Sequence, residues 1–233
     1  MSLSNKKFLI SGCGISWSGQ ERPTWVKILR SIGINITDVG GPAVSNQYIL
    51  NQTILELVAS PVYSTVFVQL TAMGKLDVQI SSDEQKAELV NKDSLRNFTI
   101  NNIWPSSFST EHESKKLWSK WLYSPDLEQQ DVAVKLLLLN DFCSSRNIVL
   151  KVIQGYDIDW IPKYISMLNG IVDKSQQSCY AQYMRSTHWQ QHDHSDKNLV
   201  PNLGYQLMLA ESFVKTYAQE YLDQLEKISK LIR

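Results

Sequence analysis

The sequence predicts one α/β domain built on a mainly parallel sheet of about five strands, with helices covering both faces in three layers. Three observations carry that expectation. Short apolar, β-branched runs alternate with segments of helical spacing through the first 70 residues. The chain is 233 residues long and 43% hydrophobic, enough for one sizeable core. No internal repeat, low-complexity tract or Pro/Gly/Ser linker divides it, so a single domain over 1–233 is expected.

Each element has its own justification. "KKFLISGC" (6–13) is a short apolar run that stops at glycine, the pattern of a buried strand. In "RPTWVKILRSIG" (22–33), Trp25, Ile28, Leu29 and Ile32 recur at helical spacing, with Pro23 near the first turn and Gly33 at the end. "INITDV" (34–39) reads as a second strand and "GGPAVS" (40–45) as a loop. "NQYILNQTILELVAS" (46–60) reads as a helix that Ser45 caps. "STVFVQL" (64–70) is a third, fully buried strand. Strands and helices in this alternation imply right-handed crossovers and parallel pairing.

The middle is less regular. Residues 71–108 lack sustained periodicity and read as an irregular insertion carrying a hairpin. Helices are expected again at 109–123 and 125–146, followed by a strand in "NIVLKVIQ" (147–154). Helical pieces follow at 159–170 and 175–186, and one long closing helix at 202–233.

Composition narrows the function classes. Twenty-three basic residues balance 23 acidic ones, so no global field draws the chain onto nucleic acid or an anionic membrane surface, and neither is expected as a partner. The three cysteines, Cys13, Cys143 and Cys179, have no CxxC spacing, which argues against a disulfide framework or a zinc cluster and fits a reducing compartment. No run is long enough for a secretory core or a membrane span, so a soluble, cytoplasmic protein is expected. No cofactor signature appears: there is no GxGxxG after a strand and no phosphate-cradling loop with lysine and threonine.

The order of these blocks resembles the SGNH hydrolase superfamily, the GDSL-like esterases. "SGCGISWSGQERPTWVKIL" (11–29) is similar to that family's first block, in the variant with Gly-Cys-Ser and a following aromatic that occurs in phage and marine bacterial members. "GGPAVSNQYI" (40–49) is similar to the second block, "VFVQLTAMGKLDV" (66–78) to the third, and "NLVPNLGYQLMLAE" (198–211) to the last. The resemblance implies a three-layer, flavodoxin-like α/β/α fold and hydrolysis of esters and O-acyl groups. A serine attacks the carbonyl, a histidine near the C-terminus takes its proton, and an aspartate three residues earlier orients the histidine. A glycine and an asparagine help to hold the oxyanion.

Carried over position by position, the resemblance places Gly14 where the nucleophile stands and Ala43 at the second-block glycine. Met73 or Gly74 falls around the third-block asparagine, and Val200 falls where the histidine precedes Pro201. The orienting aspartate falls on Lys197, with Asp196 one place off. Glycine cannot form an acyl-enzyme, and valine cannot take a proton. Removing one oxyanion donor alone costs ~100-fold or more. The resemblance therefore implies a cleft whose esterase activity is lost or strongly reduced.

Alternatives remain open on the same residues. Ser11, Ser16 and Ser18 flank Gly14, and Ser16 leads as a substitute nucleophile, although Ser11 in a strand end and Ser16 as a helix cap are the commoner roles. "STHWQQHDHSDKN" (186–198) places His192 or His194, with Asp193 or Asp196, as base. His192 and His194 also share one side of an extended segment with His188 nearby, but their spacing matches no closed zinc pattern, and no metal is expected. Cys13 is either a reactive thiolate or a small buried apolar residue. Lys75 and Asp77 follow the third strand, where open α/β folds bind ligands, or simply pair at the surface.

The expected cleft comprises Cys13, Gly14, Trp17, Ala43, Asn46, Thr71, Met73, Lys75, Asp77 and Val200, and its expected occupant is a small acylated or carbohydrate ligand. Seven tryptophans suit stacking on sugar rings, core packing or an oligomer interface. A third class of function, self-association, follows from Tyr217, Tyr221, Leu225, Ile228 and Ile232, which continue an apolar stripe to the chain end.

Overall fold

The computed structural model describes residues 6–13, 23–41, 44–60, 62–73, 76–77, 102–103, 124–156, 158–173 and 203–232. Strand β1 (Phe8–Gly12) is buried at every position, as its unbroken apolar run requires. Helix α1 (Trp25–Ser31) starts at Thr24, whose hydroxyl accepts the Lys27 N–H at 3.3 Å. It ends at Gly33, where φ of +91° favours glycine. Strand β2 (Ile36–Asp38) leads to helix α2 (Asn46–Ala59), capped as expected by Ser45, which accepts the Tyr48 N–H at 3.0 Å. Strand β3 (Thr65–Leu70) is again buried throughout.

Within the irregular region, β4 (Leu76–Asp77) pairs antiparallel with β5 (Asn102–Ile103) as a separate two-stranded ladder. Helix α3 (Pro125–Ser145) begins with Ser124 as cap, Pro125 in its first turn, and Asp126 and Glu128 complementing the helix dipole. Strand β6 (Val149–Gln154), helix α4 (Pro162–Met167) and strand β7 (Val172–Asp173) follow. Gln129 of α3 ties down the approach to α4: its amide donates to the Asp159 carbonyl at 2.8 Å and accepts the Ile161 N–H at 2.7 Å.

The closing segment differs from the expectation of one long helix. Helix α5 (Leu203–Tyr217) stops at Ala218 (φ −147°, ψ 48°), a 3₁₀ turn spans Gln219–Tyr221, and a separate helix, α6 (Leu222–Ile232), follows. The break turns the apolar stripe inward. Leu225 is buried, while Tyr217, Tyr221 and Ile228 pack against the core. The helix expected at 159–170 is confined to Pro162–Met167. The helices expected at 109–123 and 175–186 lie outside the described residues.

The main sheet has five strands in the order β2-β1-β3-β6-β7, and every pairing is parallel. With the small antiparallel ladder set aside, this is the flavodoxin-like doubly wound order, whose direction of winding switches between β1 and β3. Alternate residues of β1 face opposite layers. Phe8 meets Phe213 of α5 with ring centroids 5.0 Å apart, while the Ser11 hydroxyl donates to the Ile49 carbonyl of α2 at 3.1 Å. Helices α1 and α5 therefore cover one face and α2 and α3 the other. Trp25, Phe67, Phe213 and Tyr217 continue the aromatic core on the α1/α5 side, at centroid separations of 5.0 to 5.9 Å. Among the described residues, no helix is long and apolar enough to cross a membrane.

Candidate functional site

In open α/β sheets the crevice forms beyond the carboxyl ends of the strands at the switch point, here beyond β1 and β3. Three backbone segments meet there. Gly12 and Cys13 end β1, Gly40 and Gly41 follow β2, and Thr71 follows β3. The Gly41 N–H donates to the Gly12 carbonyl at 3.1 Å. Gly40 lies against the same peptide: a Cβ there would sit 2.4 Å from the Gly12 oxygen. Gly40 is thus explained by backbone-to-backbone contact at the tip of β1, whereas a Cβ at Gly41 would lie 2.8 Å from the Val44 Cγ1.

Asn46 opens α2 and reaches across to β3. Its side-chain amide donates to the Thr71 carbonyl at 3.0 Å and accepts the Thr71 N–H at 2.7 Å. The same amide nitrogen lies 3.5 Å from the Met73 sulfur. Asn46 and Thr71 are both buried. The structure therefore brings three expected cleft residues, Asn46, Thr71 and Met73, into one hydrogen-bonded unit. In this unit the asparagine holds the start of α2 and the end of β3 together.

Cys13 is 1% exposed, which matches the buried apolar reading. Ser11 is fully buried and its hydroxyl is engaged by Ile49, which removes it as a substitute nucleophile. The expected positions Gly14, Ser16, Trp17, Ser18, Ala43, Gly74, Lys75, His188, His192, Asp193, His194, Asp196, Lys197 and Val200 lie outside the described residues. Asp77 is placed by its backbone in β4.

Sequence reasoning missed a second set of polar groups beside this crevice, on the α1/α5 face. Gln69 of β3 is 1% exposed, and neither its amide nitrogen nor its oxygen has a partner among the described residues. The Trp25 indole N–H and the Gln206 amide nitrogen are likewise buried without a partner among them. Gln206 uses its oxygen to accept the Trp25 backbone N–H at 2.6 Å, so α5 satisfies the first turn of α1 across 181 positions of sequence. The available signal was a glutamine inside an otherwise apolar strand, because buried polar side chains are unusual without partners.

No protein-family model matches the sequence, and no curated protein matches it significantly. Its fold is similar to solved GDSL-type hydrolases. An esterase, EstA, from Pseudoalteromonas sp. is 14% identical over 94% of this chain and 99% of its own, with a TM-score of 0.46. A member of the lipolytic G-D-S-L family from Veillonella parvula is 13% identical over 92% and 99%, with a TM-score of 0.47. A putative lipolytic protein of the same family from Desulfitobacterium hafniense is 12% identical over 95% and 99%, with a TM-score of 0.44. The α/β class and the strand order follow from the pairing described above, independently of these overlays.

Proposed function

We propose that this chain is an SGNH-hydrolase-like scaffold that binds an acylated or carbohydrate ligand at the β1–β3 switch point, with esterase activity lost or strongly reduced. The observation that carries the reading is the engagement of Ser11 at the end of β1, whose buried hydroxyl donates to the Ile49 carbonyl at 3.1 Å and is not presented to the crevice. A preorganised oxyanion site needs donors aimed at the developing charge, whereas Asn46, the asparagine of the described crevice, directs its amide to the Thr71 backbone. The sequence adds that Gly14 replaces the nucleophile and Val200 the general base in the resemblance. Ser11, the one serine of the first block that the structure describes, is tied to Ile49.

Hydrolysis of p-nitrophenyl acetate and butyrate tests the reading. The expected rate is that of the uncatalysed reaction, unchanged in Ser16→Ala. A rate well above background that Ser16→Ala abolishes would instead establish the active esterase, with His192 or His194 as base. Ligand retention is tested separately by calorimetric titration with acylated sugars, and the absence of any heat would remove the binding half of the proposal.

A further inference from the structure

A pocket of about 130 Å³ lies on the α1/α5 face, between α5 and strands β3, β6 and β7. It stands at mid-sheet, where Lys151 pairs in register with Phe67, below the carboxyl ends that form the crevice. Its position is unusual for a doubly wound sheet, whose inner strands are normally apolar on both faces. Here Lys151 of β6 faces the pocket and meets Asp173 of β7 at 2.6 Å, with side chains 34% and 25% exposed. Phe67 and Phe213, nearly buried, form the apolar floor, and Met208 and Leu209 belong to the α5 wall. Trp25, 1% exposed, is another wall residue, and its indole N–H has no partner among the described residues.

The polar lining is rich in donors. The Lys151 ammonium has hydrogens beyond the one given to Asp173. Tyr217 also lines the pocket; burial raises its pKa, so the phenol stays protonated at neutral pH. Lys151 lowers that pKa and Asp173 raises it, which places the phenol within electrostatic reach of the pair. The single anion of the described lining, Asp173, is already matched by Lys151. Such a site favours a ligand that brings acceptor oxygens on a small apolar body. The volume is comparable with cavities of ~150 Å³ that admit a benzene-sized molecule.

We infer that this pocket is a binding site for a short-chain monocarboxylate, with the carboxylate on Lys151 and Tyr217 and the alkyl chain against Phe67 and the α5 wall. The site is distinct from the crevice and does not depend on the cleft reading.

The test is calorimetric titration of the full chain with sodium butyrate, flanked by acetate, 1-butanol and butylamine. Butyrate binds in the millimolar range, affinity rises about fourfold per methylene from acetate to butyrate, and butanol and butylamine bind at least tenfold more weakly. Lys151→Met combined with Asp173→Asn removes both charges together and abolishes butyrate binding. Tyr217→Phe, which deletes only a hydroxyl, weakens it about fivefold. Absence of binding by the unaltered chain, equal binding of butanol, or full affinity in either variant overturns the inference. If the double variant is unfolded by circular dichroism, Tyr217→Phe decides alone. Butyrate held in the crevice instead would survive both variants, which also counts against the pocket.

Discussion

Asn46 and Thr71 exchange two hydrogen bonds, 3.0 Å from the amide to the carbonyl and 2.7 Å from the backbone N–H to the amide oxygen. This pair joins the start of α2 to the end of β3, 25 residues on. Both partners are buried, so deleting the amide removes two hydrogen bonds made away from water. Asn46→Ala is expected to cost about 2–4 kcal/mol in urea unfolding, the sum of two lost buried partners. A change within 0.5 kcal/mol, the ordinary scatter of surface substitutions, would show that the pair does not hold the segments together.

Gln69 gives the opposite sign. Its amide is buried with neither atom partnered among the described residues, so replacing it by an apolar side chain of similar size removes a desolvation cost. Gln69→Leu is expected to raise stability by about 1 kcal/mol. A loss of stability in thermal unfolding would mean that the amide has a partner in solution. The neighbouring glycine explains how the side chain fits: a Cβ at Gly155 would lie 2.9 Å from the Leu70 carbonyl and 3.1 Å from the Gln69 Cγ. Gly155→Ala is accordingly destabilising.

Gly40→Ala probes the tip of β1. The added methyl would lie 2.4 Å from the Gly12 oxygen and 3.0 Å from the Gly12 nitrogen, both main-chain atoms that cannot swing aside. The two backbones must separate, at a cost of about 1–3 kcal/mol or more, as for other overpacked sites. Unfolding midpoints of the variant and the parent measure it, and equal midpoints would refute the close approach.

Cys143, buried on α3, has its thiol pKa pushed up from an ordinary 9.0 to about 11 by burial, with Arg146 opposing. The sign follows from proton counting. Between these two values the folded chain keeps a proton that the unfolded chain has released, so stability falls as pH rises. Stability is therefore expected to hold below pH 9.0 and to decline as pH rises toward about 11. Cys143→Ala should flatten that decline, as read by unfolding midpoints across the range. The same burial predicts that Cys143 resists thiol reagents near neutral pH until the chain is unfolded.

Much of this architecture was legible in the residues. β1 and β3 announced themselves as unbroken apolar runs, and Ser45 as a cap by its place before a periodic segment. The bend at Ala218 was not, because alanine is the best of helix formers and nothing local stops the chain there. What decides it is packing: Ala218 is 1% exposed, Leu225 turns into the core, and Tyr221 comes to 3.7 Å of the Cβ position on Gly33. β7 escaped notice because two residues carry no period. At the crevice, Asn46, Thr71 and Met73 were named in advance as ligand-facing, yet their bonds to one another span 25 to 27 positions and leave no trace in spacing. Gln69 and Gln206 were passed over because a single amide in an apolar run does not disturb the pattern that identifies the element.

The outermost members of the main sheet are stubs, three residues for β2 and two for β7. Unpaired flanks of a sheet are where foreign chains add themselves and fibres begin, and brevity is one of the ways proteins guard against it. Along the described backbone, an intruding segment would find only a few peptide groups to grip on either side. Crowding of this chain should therefore not propagate through the described flanks of the main sheet.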